Sequence, residues 1–165
     1  MDTDTPTTYA LPLREQLDVF VDEHRAELAT CLEGVTEEQA RRRMVRSDTT
    51  LLGLVKHATF VEQIWFGQGI SGASNAELGM AANAASSFEL ADGDTIASVL
   101  AMHGAACAHS RRAAAALDLD DLVTGNRRGP LPLRWVYLHV LRELAQHCGH
   151  ADILREQILE PRDPR

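Results

Sequence analysis

The stretch PLRWVYLHVLRELAQHCGHADILREQIL, residues 132–159, is the longest predicted helix of the sequence. Its apolar residues recur at spacings that place them on one face of an α-helix. They are Val136, Val140, Leu144, Ala151, Leu154 and Ile158. At about 100° per residue, His147 falls in the middle of this stripe, and Glu143 and His150 fall on its edge. The helix therefore carries three ionisable side chains where it should face a protein interior.

A second helix, predicted over residues 50–65, has the same feature, because His57 lies within its apolar arc. Burying a carboxylate and two imidazoles is costly unless they pair with one another or bind a metal. Glu143 and His147, four residues apart, can reach one point, and His57 would supply a third ligand from the facing helix. Three protein ligands with open positions are typical of a catalytic metal site. We therefore predict a divalent metal site of His57, Glu143 and His147, with His150 as an alternate to Glu143.

The remaining chain adds two long helices and no convincing strand. The other predicted helices cover residues 11–32, 37–43 and 95–117. The short one follows a capping-box pattern from Thr36 to Gln39, and Asp92-Gly93-Asp94 is predicted to cap the last. Gly67, Gly69, Gly72 and Ser74 are predicted to break the second helix after Trp65, with a long connection from Gly67 to Leu90. This pattern predicts an all-α four-helix bundle with a long connection between its second and third long helices.

Bulk properties restrict the class of protein. The chain has 165 residues, 45% of them hydrophobic, which suits a single domain over residues 1–165, with residues 1–9 expected to be flexible. A net charge of −8 argues against binding to nucleic acid or to an anionic membrane. The three cysteines are widely spaced, and the acidic N-terminus MDTDTPTTYA does not resemble a signal peptide. We expect a cytoplasmic protein that binds small molecules.

Several other residues could serve such a site. Arg127, Arg128 and Arg134 precede or open the last helix, where they could bind a carboxylate of a substrate or cofactor, or could be solubilising loop residues. His139, one turn before Glu143, could orient that carboxylate, or could be a half-exposed helix residue.

One cysteine and two histidines are not predicted to belong to the site. Cys148 points about 100° away from its neighbour His147 on the helix and is interpreted as a packed thiol. His103 and His109 are expected at the surface.

Two motifs resemble those of a known family. The stretch LLGLVKHATFVE, residues 51–62, resembles the second-helix motif of the DinB/YfiT-like metalloproteins. LRWV at residues 133–136, followed by ELAQHCGHAD at residues 143–152, resembles the last-helix motif of their mini-circle (DUF664) branch. The resemblance extends over nearly the whole chain and implies a four-helix bundle, often a homodimer, with one metal held by three side chains.

The resemblance also implies a ligand set and a function. Much of the family uses three histidines, so Glu143 replaces the middle one here, but the related mycothiol-dependent maleylpyruvate isomerase is similar in using a His, Glu, His set. Zinc is the expected metal, with nickel or manganese as alternatives. The implied activity is that of a transferase or isomerase that uses a low-molecular-weight thiol such as mycothiol on a small electrophile. Independently of the resemblance, His150, which could support a ligand or face the substrate, and Arg134 are the candidate catalytic residues.

Two alternatives to that activity remain. One is a metal-dependent hydrolase, in which the general base comes from elsewhere, for example His150. The other is a non-catalytic, stress-associated bundle that binds a metal or a small ligand.

Overall fold

The computed structural model describes residues 7–159, which are mostly helical. In chain order the helices are α1 (Leu13–Thr30), α2 (Glu37–Ala40), α3 (Leu51–Glu62), α4 (Gly69–Ser71), α5 (Ile96–Ala115) and α6 (Leu133–Leu159). The long helix α6 packs against α1 and α3, and α3 also packs against α5. The predicted four-helix bundle is confirmed, with α1, α3, α5 and α6 as its helices.

The structure describes only part of the N-terminal segment, residues 1–9. Residues 1–6, which were expected to be flexible, lie outside the described range. Of the rest, Thr8–Ala10 form a short 3-10 helix. No helix within residues 7–159 has the length and apolar character that a membrane span requires.

Helix starts follow local capping chemistry. Thr36 and Gln39 form the predicted capping box, since each side chain accepts a hydrogen bond from the backbone N–H of the other. The cap of α5 differs from the prediction, because Thr95 is its N-cap and forms a second capping box with Ser98. The carboxylate of Asp94 instead accepts from the Lys56 ammonium.

The second bundle helix is longer than predicted. After α3 the chain continues as a π-helix, Gln63–Gln68, and then as α4, so neither Gly67 nor Gly69 ends it. Both of these glycines lie within helical backbone. The break comes at Gly72, one of the predicted breakers, whose φ of 74° is left-handed backbone that glycine adopts without strain.

Two small features of the connections position the site. Leu122–Val123 and Leu131–Pro132 form a two-residue antiparallel ladder, which was not predicted because two-residue strands have no detectable alternation. In the long connection, the 3-10 turn Ser86–Phe88 lies on α3. A Cβ at Gly53 would stand 2.9 Å from the Phe88 carbonyl oxygen, so glycine permits this close approach.

The interior contains a buried ion pair. Glu62, at the end of α3, is completely buried and accepts two hydrogen bonds from Arg25 of α1, at 2.9 and 2.6 Å. His103 of α5 lies beside this pair and is only 3% exposed, so its predicted surface position is wrong. The α5 face that carries His103 packs inward against the pair, whereas His109 is exposed as predicted.

Candidate metal centre

The packing of α3 against α6 brings three predicted ligands together. One ligand atom from each of His57, Glu143 and His147 can be chosen so that all three lie within 4.8 Å of one another. The residues His57 and His147 are 5% and 8% exposed, and the Glu143 side chain is 27% exposed. The sequence argument placed all three on core-facing stripes, and the bundle closes those stripes around one point.

The proton on His57 is assigned by its hydrogen bonds. Its Nδ1 lies 2.7 Å from Ser87 Oγ, and Ser87 Oγ donates its one hydrogen to the Ala84 carbonyl at 2.6 Å. Ser87 must therefore accept from His57, which places the imidazole proton on Nδ1. The lone pair then lies on Nε2, the nitrogen that is free to bind a metal.

Packing fixes the plane of the same ring. The Phe88 ring stacks on the His57 ring with centroids 4.0 Å apart and an interplanar angle of 11°. The turn Ser86–Phe88 therefore holds His57 by a hydrogen bond and by stacking, and both contacts limit rotation of the imidazole.

His147 is held without full hydrogen bonding. Its Nδ1 is buried and has no partner among residues 7–159, and its Nε2 is 4.0 Å from Glu143 Oε2, too far for a hydrogen bond. A buried, unpartnered imidazole nitrogen costs about 1–3 kcal/mol. Two nitrogens and one carboxylate oxygen are ligands that zinc, nickel and manganese accept, so the residues fit a divalent cation.

Burial also sets the protonation of the two imidazoles. Loss of solvation, together with a smaller effect of the neighbouring His147, lowers the pKa of His57 to about 4. Loss of solvation likewise lowers the pKa of His147, against an opposing effect of Glu143. Both rings are therefore neutral at pH 7, which is the form that binds metal.

His139 lies beside the carboxylate of the centre. Its Nε2 is 3.8 Å from Glu143 Oε1, and its Nδ1 accepts a hydrogen bond from Arg142 at 2.9 Å. The ring stacks on Trp135 with centroids 5.0 Å apart, and only 9% of the side chain is exposed. The structure thus places His139 against Glu143 within an aromatic contact, and not as a half-exposed helix residue.

A cavity of about 480 Å³ opens onto the centre. His57 and Glu143 form part of its wall, and amide side chains line another part. Those amides belong to Gln68, Asn75, Asn83 and Asn126. This size is typical of small-molecule sites.

The predicted arginines and His150 separate into two groups. Arg127 and Arg128 line the cavity, as does Arg142, which sequence reasoning did not select. Arg134 forms an ion pair with Asp120 and does not line the cavity. His150 is exposed, with its ring centroid 5.6 Å from that of His147, and does not line the cavity either.

Cys148 has the environment of a packed thiol. Its Sγ is 3.5 Å from the His24 carbonyl oxygen, and burial raises its pKa to about 12. Little thiolate therefore forms at neutral pH, which agrees with the interpretation from sequence.

Ser87 and Arg142 were missed for different reasons. Ser87 is thirty residues from His57 in an irregular connection, and no spacing rule links the two. Arg142 adjoins Glu143 in sequence, but it points about 100° away from it on the helix and falls outside the core-facing stripe, so helix periodicity did not select it.

Comparison with known proteins identifies the family. No curated protein matches the sequence. The family model described as Mycothiol-S-transferase matches residues 16–159, which include all three residues of the centre. This is a DinB/YfiT-like family, so the suspected superfamily is confirmed. The chain belongs to the mycothiol S-transferase family.

Proposed function

We propose that the protein is a metal-dependent transferase that joins mycothiol, or a similar low-molecular-weight thiol, to a small electrophile. The observation that supports this most directly is the His57, Glu143, His147 cluster at the wall of the cavity. Membership of the mycothiol S-transferase family supports the thiol as one substrate. Zinc is the metal that we expect, with nickel or manganese as alternatives.

Under this proposal a divalent cation at the cluster would lower the pKa of a coordinating thiol and favour the thiolate. His57 Nε2, a nitrogen of His147 and a carboxylate oxygen of Glu143 would hold the cation. Ser87 keeps the proton of His57 on the other ring nitrogen. The three buried cysteines of the chain would stay out of the chemistry, because burial raises the pKa of each to about 12.

The reaction balances without an oxidant. A carbon–sulfur bond forms between thiolate and electrophile, and a leaving group departs with the electron pair of the bond that breaks. In an addition, the electrophile takes up a proton from water instead. The thiol proton passes to water.

The test is metal analysis joined to a transfer assay. Untagged protein, His57→Ala and a control variant, His109→Ala, would be examined by plasma mass spectrometry and then assayed with mycothiol and monobromobimane. The control removes an exposed histidine of α5. We expect about one metal ion per chain and thioether formation in wild type and in the control.

Loss of both properties in His57→Ala would support the proposal. Metal-free wild type, even after incubation with zinc, nickel or manganese, would contradict it. So would full transfer by the metal-free variant.

A further inference from the structure

The cavity carries positive charge in an acidic protein. Three arginines, Arg127, Arg128 and Arg142, line it, and Glu143 is its one acidic lining residue within the described range. The whole chain has a net charge of −8, so this concentration of cations is local. Arg142 is 3.4 Å from Glu143, whereas Arg127 and Arg128 form no ion pair with any residue from 7 to 159.

The loop that carries Arg127 and Arg128 is internally fixed. The Asn126 amide donates to the carbonyls of Val123 and Gly129, and its oxygen accepts from the Arg128 backbone N–H at 2.9 Å. These bonds close the loop on itself through one side chain. The backbone of the two arginines is therefore held in place before any ligand binds.

The same loop is also joined to the end of the second bundle helix. Gly125 N–H donates to the Gly69 carbonyl at 2.9 Å. A Cβ at Gly125 would lie 2.0 Å from the Gln68 carbonyl oxygen, so only glycine permits this contact. Because Gln68 lines the cavity, the contact sets the arginine loop against the cavity wall.

An aromatic contact orients the Arg128 side chain. The Arg128 guanidinium carbon lies 5.7 Å from the centre of the Trp135 ring, within the range of a cation–π contact. Trp135 in turn stacks on His139, which lies against Glu143. Arg128 is thus connected to the metal centre through stacked rings.

The charges of the proposed reaction leave these two arginines uncompensated. A divalent cation, the Glu143 carboxylate and one thiolate sum to zero. The positive charges of Arg127, Arg128 and Arg142 then remain in the cavity, and of these three Arg127 and Arg128 have no ion-pair partner among residues 7–159. Guanidinium groups bind carboxylates with paired, charge-assisted hydrogen bonds.

We infer that the electrophile is an organic anion, whose carboxylate binds Arg127 and Arg128 while its reactive carbon faces the metal centre. This inference rests on the proposed function for the identity of the second substrate. The anion site itself depends only on the cavity and its arginine loop.

The test compares two maleimides that differ in one group. N-(2-carboxyethyl)maleimide and its carboxamide would react with mycothiol in the presence of the metal-loaded enzyme, and each rate would be corrected for the uncatalysed reaction. We expect kcat/KM to be about tenfold higher for the carboxylate. The double variant Arg127→Gln/Arg128→Gln should lose this preference, so that its kcat/KM values for the two maleimides become equal.

A charge-matched control excludes a general field effect. Arg46→Gln/Arg112→Gln removes two exposed arginines that line no part of the cavity, and it should keep the preference. Equal kcat/KM for the two maleimides in wild type would overturn the inference. So would a preference that survives in Arg127→Gln/Arg128→Gln.

A binding titration separates this inference from the proposed function. Succinate, with succinamide as the neutral probe, would be titrated into metal-loaded protein and followed by the fluorescence of Trp65 and Trp135, the two tryptophans of the chain. Succinate binding in wild type that disappears in the double variant supports the anion site, even if no thiol transfer is found. Binding that persists in the double variant would place the carboxylate elsewhere, for example on the metal, and would overturn the site.

Discussion

Ser87 is the residue on which the orientation of His57 depends. Replacing it by alanine removes the acceptor of the Nδ1 proton and leaves that N–H buried without a partner. Loss of such a support typically weakens metal binding by about 10–100-fold. We expect Ser87→Ala to show this loss in a competition titration against a chromophoric chelator, and the ¹⁵N shifts of metal-free His57 should show mixed tautomers.

A second buried serine supplies the control. Ser110 Oγ is buried and has no hydrogen-bond partner among the described residues, so Ser110→Ala should leave metal affinity unchanged. Equal dissociation constants for wild type and Ser87→Ala would show that packing by Phe88 alone orients the ring.

Among single residues, the sequence identifies those whose polarity conflicts with the apolar helix face on which they lie. His57 and His147 were selected because an imidazole on an apolar stripe has to be explained, and both are buried. Ser87 conflicts with nothing in its own segment, and its role exists only after the long connection folds onto α3. Residues that act through tertiary contact carry no comparable local signal.

Between elements, the pair of Arg25 and Glu62 joins α1 to the end of α3. Both side chains are buried, at 7% and 0% exposure. Glu62→Gln would remove the buried carboxylate and leave the half-exposed Asp22, 2.7 Å away, as the remaining countercharge of Arg25. Loss of one partner of a buried pair typically costs about 3–5 kcal/mol, and Asp22 keeps the cost at the lower end of that range. We expect a loss of that order in the free energy of unfolding, measured by urea denaturation of metal-free protein.

Two further variants serve as a control and as a rescue for this prediction. Glu38→Gln removes an acid whose ion pair with Arg42 is exposed, and should have little effect. The double replacement Arg25→Met/Glu62→Leu should recover most of the lost stability, because apolar side chains can replace a buried pair. A loss no larger in Glu62→Gln than in Glu38→Gln would mean that water reaches the pair.

Some local elements were predicted and others were not, depending on whether their stabilising contacts lie within the segment itself. The Thr36–Gln39 capping box contains its own hydrogen bonds, so its four residues suffice to predict it. The π-helix Gln63–Gln68 was missed because Gly67 and Gly69 are helix breakers by propensity. In the fold this segment packs against α3 and α5, and tertiary contact overrides propensity there.

For the whole molecule, periodicity was sufficient to predict the bundle and insufficient to predict the cavity. Apolar stripes define which helix faces meet, and that argument holds for α1, α3, α5 and α6. The cavity wall is assembled from the long connection and the Arg127 loop, whose sequences have no repeating pattern. Its positive charge was therefore visible in sequence only as Arg127 and Arg128 near one helix start, since Arg134 does not line the cavity and Arg142 was not selected.

The pH dependence of folding should report the buried histidines of the metal-free protein. Burial lowers the pKa of His57 from an ordinary value near 6.5 to about 4, so the unfolded chain takes up this proton at higher pH than the folded chain. The contribution of neutral His57 to the free energy of unfolding is fully present above pH 6.5. It is lost as the pH falls towards 4, and the loss is roughly 3 kcal/mol.

The measurement is urea unfolding of metal-free protein at several pH values between 7 and 4, with His57→Gln as the comparison. Carboxylates titrate in both proteins, so the difference between the two curves isolates His57. The pKa values of His147 and His103 are also lowered, chiefly by burial, and both histidines remain in the variant. We expect the wild-type advantage to shrink as the pH falls. Parallel curves would mean that His57 is solvated in the metal-free protein, and that the centre is assembled only when a cation binds.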